Sequence, residues 1–211
     1  MKLLITAGAV AGMLSVSGAR AEAQLFYIGV RAGAGIPAGS FADTVNAGSG
    51  SALLTGARPG LGYGLDAGVS LGPMLGGYAS YDRIAFGCSG NCASSGKYTL
   101  KGYAAGVRVG IPFLPLLKPW AKAGITLNEL EGELGGPNDG VRVIAKRSPG
   151  YEIGAGVDIP VLAGFFTLTP QVRRVRQKLE FAAPDIGESA SGKKPADYYT
   201  FDLGLRLRSP I

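Results

Sequence analysis

The sequence predicts an all-β fold, an eight-stranded antiparallel up-and-down barrel, from two observations. First, a short motif occurs four times: each copy opens with a tyrosine, alternates apolar residues with small or charged ones, and closes at a proline. Alternation with a period of two is typical of a strand whose two faces meet different surroundings. Second, the connections between the predicted strands are alternately long and short, which places every long loop at one end of a meander. The four copies open at Tyr63, Tyr103, Tyr151 and Tyr199, which are 40, 48 and 48 residues apart.

Each strand is predicted from this alternation and from the glycine- and proline-rich segments that bound it. The third strand alternates least clearly, and the sequence leaves open which way Asp82 and Arg83 point. The strands are predicted to begin near residue 24 and then to cover residues 61–71, 78–86, 102–111, 119–130, 150–160, a segment from 165 onward, and 199–207. The long connections are predicted at residues 37–59, around the two cysteines, at 131–148 and at 181–197.

The N-terminus predicts a cleaved secretory signal over residues 1–23, which leaves one domain over residues 24–211. Lys2 precedes an apolar run over residues 3–16, and small residues with Ala-x-Ala tripeptides follow. This run is shorter than the roughly 20 residues that a membrane-spanning helix needs. An exported chain meets an oxidising compartment, so Cys88 and Cys92, the only two cysteines, are expected to form a disulfide across a surface loop. Two unreacted thiols are the alternative.

The composition argues against several classes of function. The chain has no histidine, which excludes His-dependent catalytic triads and imidazole metal sites. Two cysteines without histidine cannot fill a tetrahedral zinc site. Glycine strings such as residues 33–35 lack the following helix that a dinucleotide site requires. We therefore expect no enzyme activity, no cofactor and no bound metal.

The two faces of the strands differ in a way that predicts a transmembrane barrel. A barrel of eight strands has a narrow lumen, so small residues and mutually neutralising charges suit its interior, whereas a glycine-rich exterior would make a poor soluble surface. Glycine is 35 of the 211 residues, and the inward face accounts for this excess. A soluble lipocalin-like barrel with the faces inverted is the alternative. The predicted polar network of the lumen consists of Arg31, Asp66, Arg108, Lys122, Glu152, Asp158, Arg173, Asp202 and Arg206.

The four repeat tyrosines provide an independent indication of a membrane barrel. With the N-terminus in the periplasm, Tyr63, Tyr103, Tyr151 and Tyr199 lie near the outer ends of their strands and face lipid, as an interfacial aromatic girdle does. A β-propeller also repeats at this period, but it needs four strands per repeat, and these repeats have room for two.

The GYxxG strands, proline turns and asymmetric loops resemble the family of small eight-stranded outer-membrane barrels typified by OmpA and OmpX. The resemblance extends from residue 24 to the C-terminus and is closer to the barrel-only OmpX form. It implies location in the outer membrane of a Gram-negative type of envelope.

A barrel of this size encloses packed side chains, which favours a structural or surface-interaction role over conduction. A narrow small-solute channel is the alternative. The outward parity of the seventh strand continues into Arg174, Arg176 and Lys178, which are expected to meet lipopolysaccharide phosphates or simply to be solvated. The long loops are expected to recognise an extracellular ligand or a host or cell surface. Nucleic acid is not an expected partner, and the chain is expected to be a monomer.

Overall fold

The computed structural model describes residues 26–42, 57–72, 74–88, 97–111, 117–134, 141–161, 165–181 and 193–209. They form a closed barrel in which every strand pairs antiparallel with its neighbours in sequence, and the last strand pairs with the first. The predicted fold class is therefore confirmed. The strands are β1 (Phe26–Ala38), β2 (Ala57–Ser70), β3 (Leu75–Cys88), β4 (Lys97–Gly110), β5 (Lys118–Leu134), β6 (Val141–Val161), β7 (Phe166–Phe181) and β8 (Lys193–Ser209).

A short 3-10 turn, Gly39–Phe41, follows β1. Among the described residues, no helix is long and apolar enough to cross a membrane.

The outer surface carries a band of apolar side chains, as the alternation predicts. Leu61 is 77% exposed, Ile125 67% and Ile28 62%, although all three lie in regular strands. Such a surface is stable only where it is covered by another apolar phase, because a soluble monomer rarely exposes so large an apolar area. On β3, Asp82 points into the lumen and Arg83 points outward, which answers the question that the sequence left open.

The strands continue further toward the long-loop end than predicted. β5 reaches Leu134, β6 begins at Val141 and β8 begins at Lys193, so most of the predicted connection 131–148 and the end of 181–197 are strand. These boundary predictions were wrong because the apolar residues move there from the outward face of the strands to the inward face. On β7, the apolar residues up to Val172 face outward, whereas Val175 and Leu179 face inward and are buried.

This inversion builds an apolar core inside the loop end of the barrel. The side chains of Phe41, Phe86, Leu100, Leu130 and Leu179 are almost completely inaccessible. The ring of Phe41 meets that of Phe86 edge-on, with 5.3 Å between the centroids. Above the lipid the exterior meets water, so the apolar residues move to the inside, as they do in a soluble barrel.

Candidate functional site

The structure places all nine predicted network residues in the lumen. Seven of them are buried, and Arg108 and Asp202 are half-buried. Asp82 joins them as a tenth member that the sequence did not identify, because the weak alternation of β3 did not settle its direction. The candidate site is therefore a cluster of ten charged side chains, supplied by all eight strands.

Asp82 lies at the centre of the layer nearer the long loops. Arg31 Nη2 donates to its Oδ2 at 2.8 Å, and Arg173 Nη1 donates to the same oxygen at 2.9 Å. Arg173 also reaches Glu152 Oε2 at 3.2 Å, and Lys122 Nζ donates to Glu152 Oε1 at 2.9 Å. A Cβ on Gly64 would lie 2.7 Å from Asp82 Oδ1 and 2.9 Å from Arg31 Nε, so this position needs glycine for the pair to form.

Asp158 lies at the centre of a second layer nearer the short turns. Arg108 Nη2 donates to its Oδ2 at 2.6 Å, while Arg206 Nη1 and Trp120 Nε1 donate to its Oδ1 at 3.2 and 3.0 Å. Arg206 Nε also donates to Asp66 Oδ2 at 2.8 Å. The two layers are joined by Arg31 Nη1, which lies 3.3 Å from Asp66 Oδ1.

The network is electrically neutral. It contains five cations and five carboxylates, and each takes part in at least one ion pair. A buried network is expected to be neutral, because an unpaired buried charge costs several kcal/mol. The described residues contain no group of three or more His, Cys, Asp or Glu side chains that could hold a metal ion.

At the outer rim, each predicted girdle tyrosine has an arginine beside it. Tyr63 is directly opposite Arg83, Tyr151 opposite Arg176, and Tyr199 opposite Arg174. Arg83 and Arg176 form side-chain hydrogen bonds with their tyrosines, whereas the guanidinium of Arg174 stacks 5.6 Å from the ring centroid of Tyr199. The guanidinium of Arg147 stacks over the ring of Tyr103, 5.7 Å from the ring centroid.

The three predicted lipopolysaccharide contacts are exposed, but the structure separates them. Arg174 turns toward Tyr199 and Asp197. Arg176 and Lys178 line a groove of about 590 Å³ between β6 and β7, and Arg147 lines it from the β6 side. Arg176 Nε also lies 3.2 Å from Asp197 Oδ2, so Arg174 and Arg176 share this carboxylate. The pairing register shifts between Lys146 and Gly150, and this bulge brings Arg147 to the rim. Sequence reasoning missed Arg147 because it fell in a predicted loop.

Two predictions fall outside what the structure describes. Cys92 and the side chain of Cys88 are not among the described atoms, so the disulfide stays a prediction. The signal segment, residues 1–23, is likewise outside the described residues.

The chain matches the family model described as outer membrane protein beta-barrel domain over residues 6–208. It is similar in structure to Neisserial surface protein A (NspA), with a TM-score of 0.57 and 18% identity over 86% of this chain and 96% of that one. OprG from Pseudomonas aeruginosa gives a TM-score of 0.56 and 11% identity over 90% and 97% of the two chains. Ail of Yersinia pestis, in complex with the heparin analogue sucrose octasulfate, gives 0.53 and 10% over 89% and 99%. No curated protein sequence matches the chain.

At these identities the structural likeness shows the fold alone, whereas the family model covers nearly the whole chain. The outward apolar band and the family together exclude the soluble lipocalin-like alternative. The chain therefore belongs to the outer membrane protein beta-barrel family and is located in the outer membrane.

Proposed function

We propose that this protein is a structural and surface-interaction barrel with a closed lumen, which acts through its outer rim and its extracellular loops. The observation that carries this proposal is the filling of the lumen at successive levels. The ion-pair network occupies the membrane-spanning part, and the apolar core occupies the part toward the loops. A solute would have to cross both.

The filled lumen also makes a small-solute channel the weaker alternative. Conduction requires sites that bind weakly enough for an ion to leave, whereas the network cations are already engaged by carboxylates. Parting one buried pair exposes an uncompensated charge at a cost of several kcal/mol. The core around Phe41 and Phe86 adds a barrier of mainly apolar side chains, which offers water few hydrogen-bonding partners.

The outer rim is the proposed contact with lipopolysaccharide. Arg176 and Lys178 carry the main part of this proposed role and Arg174 a minor part, and Arg147 and Arg83 extend it around the barrel at the end of the apolar band. A planar guanidinium matches the geometry of a phosphate, and the resulting hydrogen bonds are charge-assisted. Within the described part of the chain no ion pair involves Lys178, which leaves its ammonium group available to a lipid phosphate.

The long loops, which lie largely outside the described residues, are the proposed place for recognition of an extracellular ligand or a host or cell surface. A rigid barrel suits this role because loops can vary without disturbing the scaffold. We also propose that the protein works as a monomer and has no enzymatic activity.

A liposome-swelling assay tests the closed lumen. Liposomes that contain the folded protein should swell in small sugars and amino acids no faster than empty liposomes, while a large porin serves as positive control. Swelling above the empty-liposome rate would favour the channel. In that case Arg108→Ala and Glu152→Ala should each change the rate, because both side chains stand in the path.

A further inference from the structure

The turn end of the barrel contains a cavity that the proposed function does not use. Its volume is about 300 Å³, and it lies between the first two short turns and the polar layer around Asp158. Cavities of this size are at the lower end of the range for small-molecule sites. In membrane barrels the short turns face the periplasm, so a ligand would enter from that side.

The charged residues that line this cavity are Arg108, Lys118 and Asp158, so its lining has a net positive charge. The pair formed by Arg108 and Asp158 is asymmetric: the Arg108 side chain is 13% exposed, and the Asp158 side chain is 2% exposed. Asp158 is turned inward, where Arg206, Trp120 and Thr169 also donate to it. A ligand in the cavity therefore meets the guanidinium, and the carboxylate behind it stays paired.

The guanidinium retains donors for a ligand. It has five N–H groups, and within the described part of the chain its side-chain hydrogen bonds are the 2.6 Å bond to Asp158 and one with the Tyr27 hydroxyl. The exposed Lys118 adds a second positive charge at the mouth of the cavity. The cationic groups of this cavity would therefore attract an anion.

The walls of the cavity are aromatic and aliphatic. The ring of Trp120 stacks against Arg108, with 4.2 Å between the guanidinium carbon and the ring centroid, and the centroid of the Tyr27 ring lies 5.9 Å from the same carbon. Leu75 and Ile111 complete an apolar lining. Such walls favour a ligand with an apolar body, because burial of its surface contributes roughly 25 cal/mol per Å².

We propose that this cavity binds a small organic carboxylate with an apolar body, which enters from the periplasm and places its carboxylate on Arg108. The site is independent of the lipopolysaccharide contacts, which lie at the opposite end of the barrel.

The chain contains one tryptophan, Trp120, so its fluorescence reports directly on this cavity. The folded full-length protein in detergent micelles is titrated with hexanoate, with hexanamide as the neutral analogue, and with inorganic phosphate, all at constant ionic strength. Hexanoate should change the fluorescence in a saturable way below about 10 mM, while hexanamide and phosphate should not. Saturable binding of phosphate with the same affinity, or an equal response to hexanamide, would overturn the proposal.

Substitutions test whether the fluorescence change with hexanoate arises from binding in the cavity. Arg108→Gln should raise the Kd for hexanoate by about tenfold or more, since a charge-assisted bond is lost. Lys97→Gln, which also removes an exposed charge but at the opposite end of the barrel, should leave the Kd unchanged. Lys118→Gln removes only an exposed charge and should raise the Kd by about threefold even if Arg108→Gln does not fold. An unchanged Kd in Lys118→Gln and in any folded Arg108→Gln sample would show that the signal arises elsewhere.

Discussion

At the residue scale, the rim is organised by pairs of arginine and tyrosine. The repeat made the tyrosines predictable from the sequence, because each one opens a copy of the motif. Their arginine partners were not predictable as partners, since the pairing of Tyr63 with Arg83 depends on the register between two strands. In the proposed aromatic girdle the tyrosines would therefore have a second effect, because they hold guanidinium groups at the same level of the barrel.

The separation of the rim cations leads to a prediction about lipopolysaccharide. The triple variant Arg147→Gln, Arg176→Gln, Lys178→Gln should lose most of the stability that lipopolysaccharide gives relative to neutral lipid, at about 1 kcal/mol per cation. The single variant Arg174→Gln should keep its gain apart from a few tenths of a kcal/mol, because Arg174 stacks on Tyr199 and is not among the described residues that line the groove. Urea unfolding followed by gel mobility, in both lipids, measures the difference.

A second triple variant, Arg174→Gln, Arg176→Gln, Lys178→Gln, replaces the three cations that the sequence predicted. Comparison of the two triple variants shows whether Arg147 or Arg174 contributes more to the contact with lipopolysaccharide. If both triple variants retained the full gain in lipopolysaccharide, the rim charges would be ordinary solvated charges and the proposed contact would be wrong.

At the element scale, each long strand has two parts with opposite alternation. The membrane part was predictable because lipid outside and polar lumen inside give a strict period of two. The upper part was not, because its outward charges, such as Glu131, Lys146 and Arg147, also suit a solvated loop. The distinguishing signal was present: Val175 and Leu179 keep the period of β7 with the apolar residues shifted by one position.

This inversion predicts that two Leu→Ala substitutions will differ in cost. Leu179→Ala should destabilise the barrel by about 2–5 kcal/mol, because it leaves a cavity in the enclosed upper core. Leu203→Ala should cost much less, since Leu203 is 54% exposed on the outer surface, where lipid can fill the vacated space. Urea unfolding of both variants in the same lipid provides the comparison. Equal costs would mean that the upper part of β7 is not packed against an apolar interior.

At the scale of the whole molecule, closure of the barrel determines which charges meet. The number and order of the strands followed from the alternating loop lengths, and nine of the ten lumen charges followed from strand parity. Their pairing did not, because Arg173 and Asp82 are 91 residues apart and meet across the lumen rather than along a shared strand pair. Only the tilt and stagger of all eight strands together fix such contacts. Neutrality of the network is thus a property of the closed barrel and not of any one element.

Neutrality predicts strong coupling between Lys122 and Glu152, whose Nζ and Oε1 atoms are 2.9 Å apart in the lumen. Lys122→Met and Glu152→Gln each leave one uncompensated buried charge, at a cost of about 3–5 kcal/mol. The double variant restores neutrality, so its cost should fall below the sum of the single costs by about 1–3 kcal/mol.

A control cycle uses the partly exposed ion pair of Lys101 and Glu131 at the rim. The variants Lys101→Met and Glu131→Gln should show a coupling of only about 0.2–1 kcal/mol, because that pair is partly exposed. Urea unfolding of all the variants measures both couplings. Additive costs at Lys122 and Glu152 would mean that the lumen admits water or ions freely, and this would also count against the closed barrel.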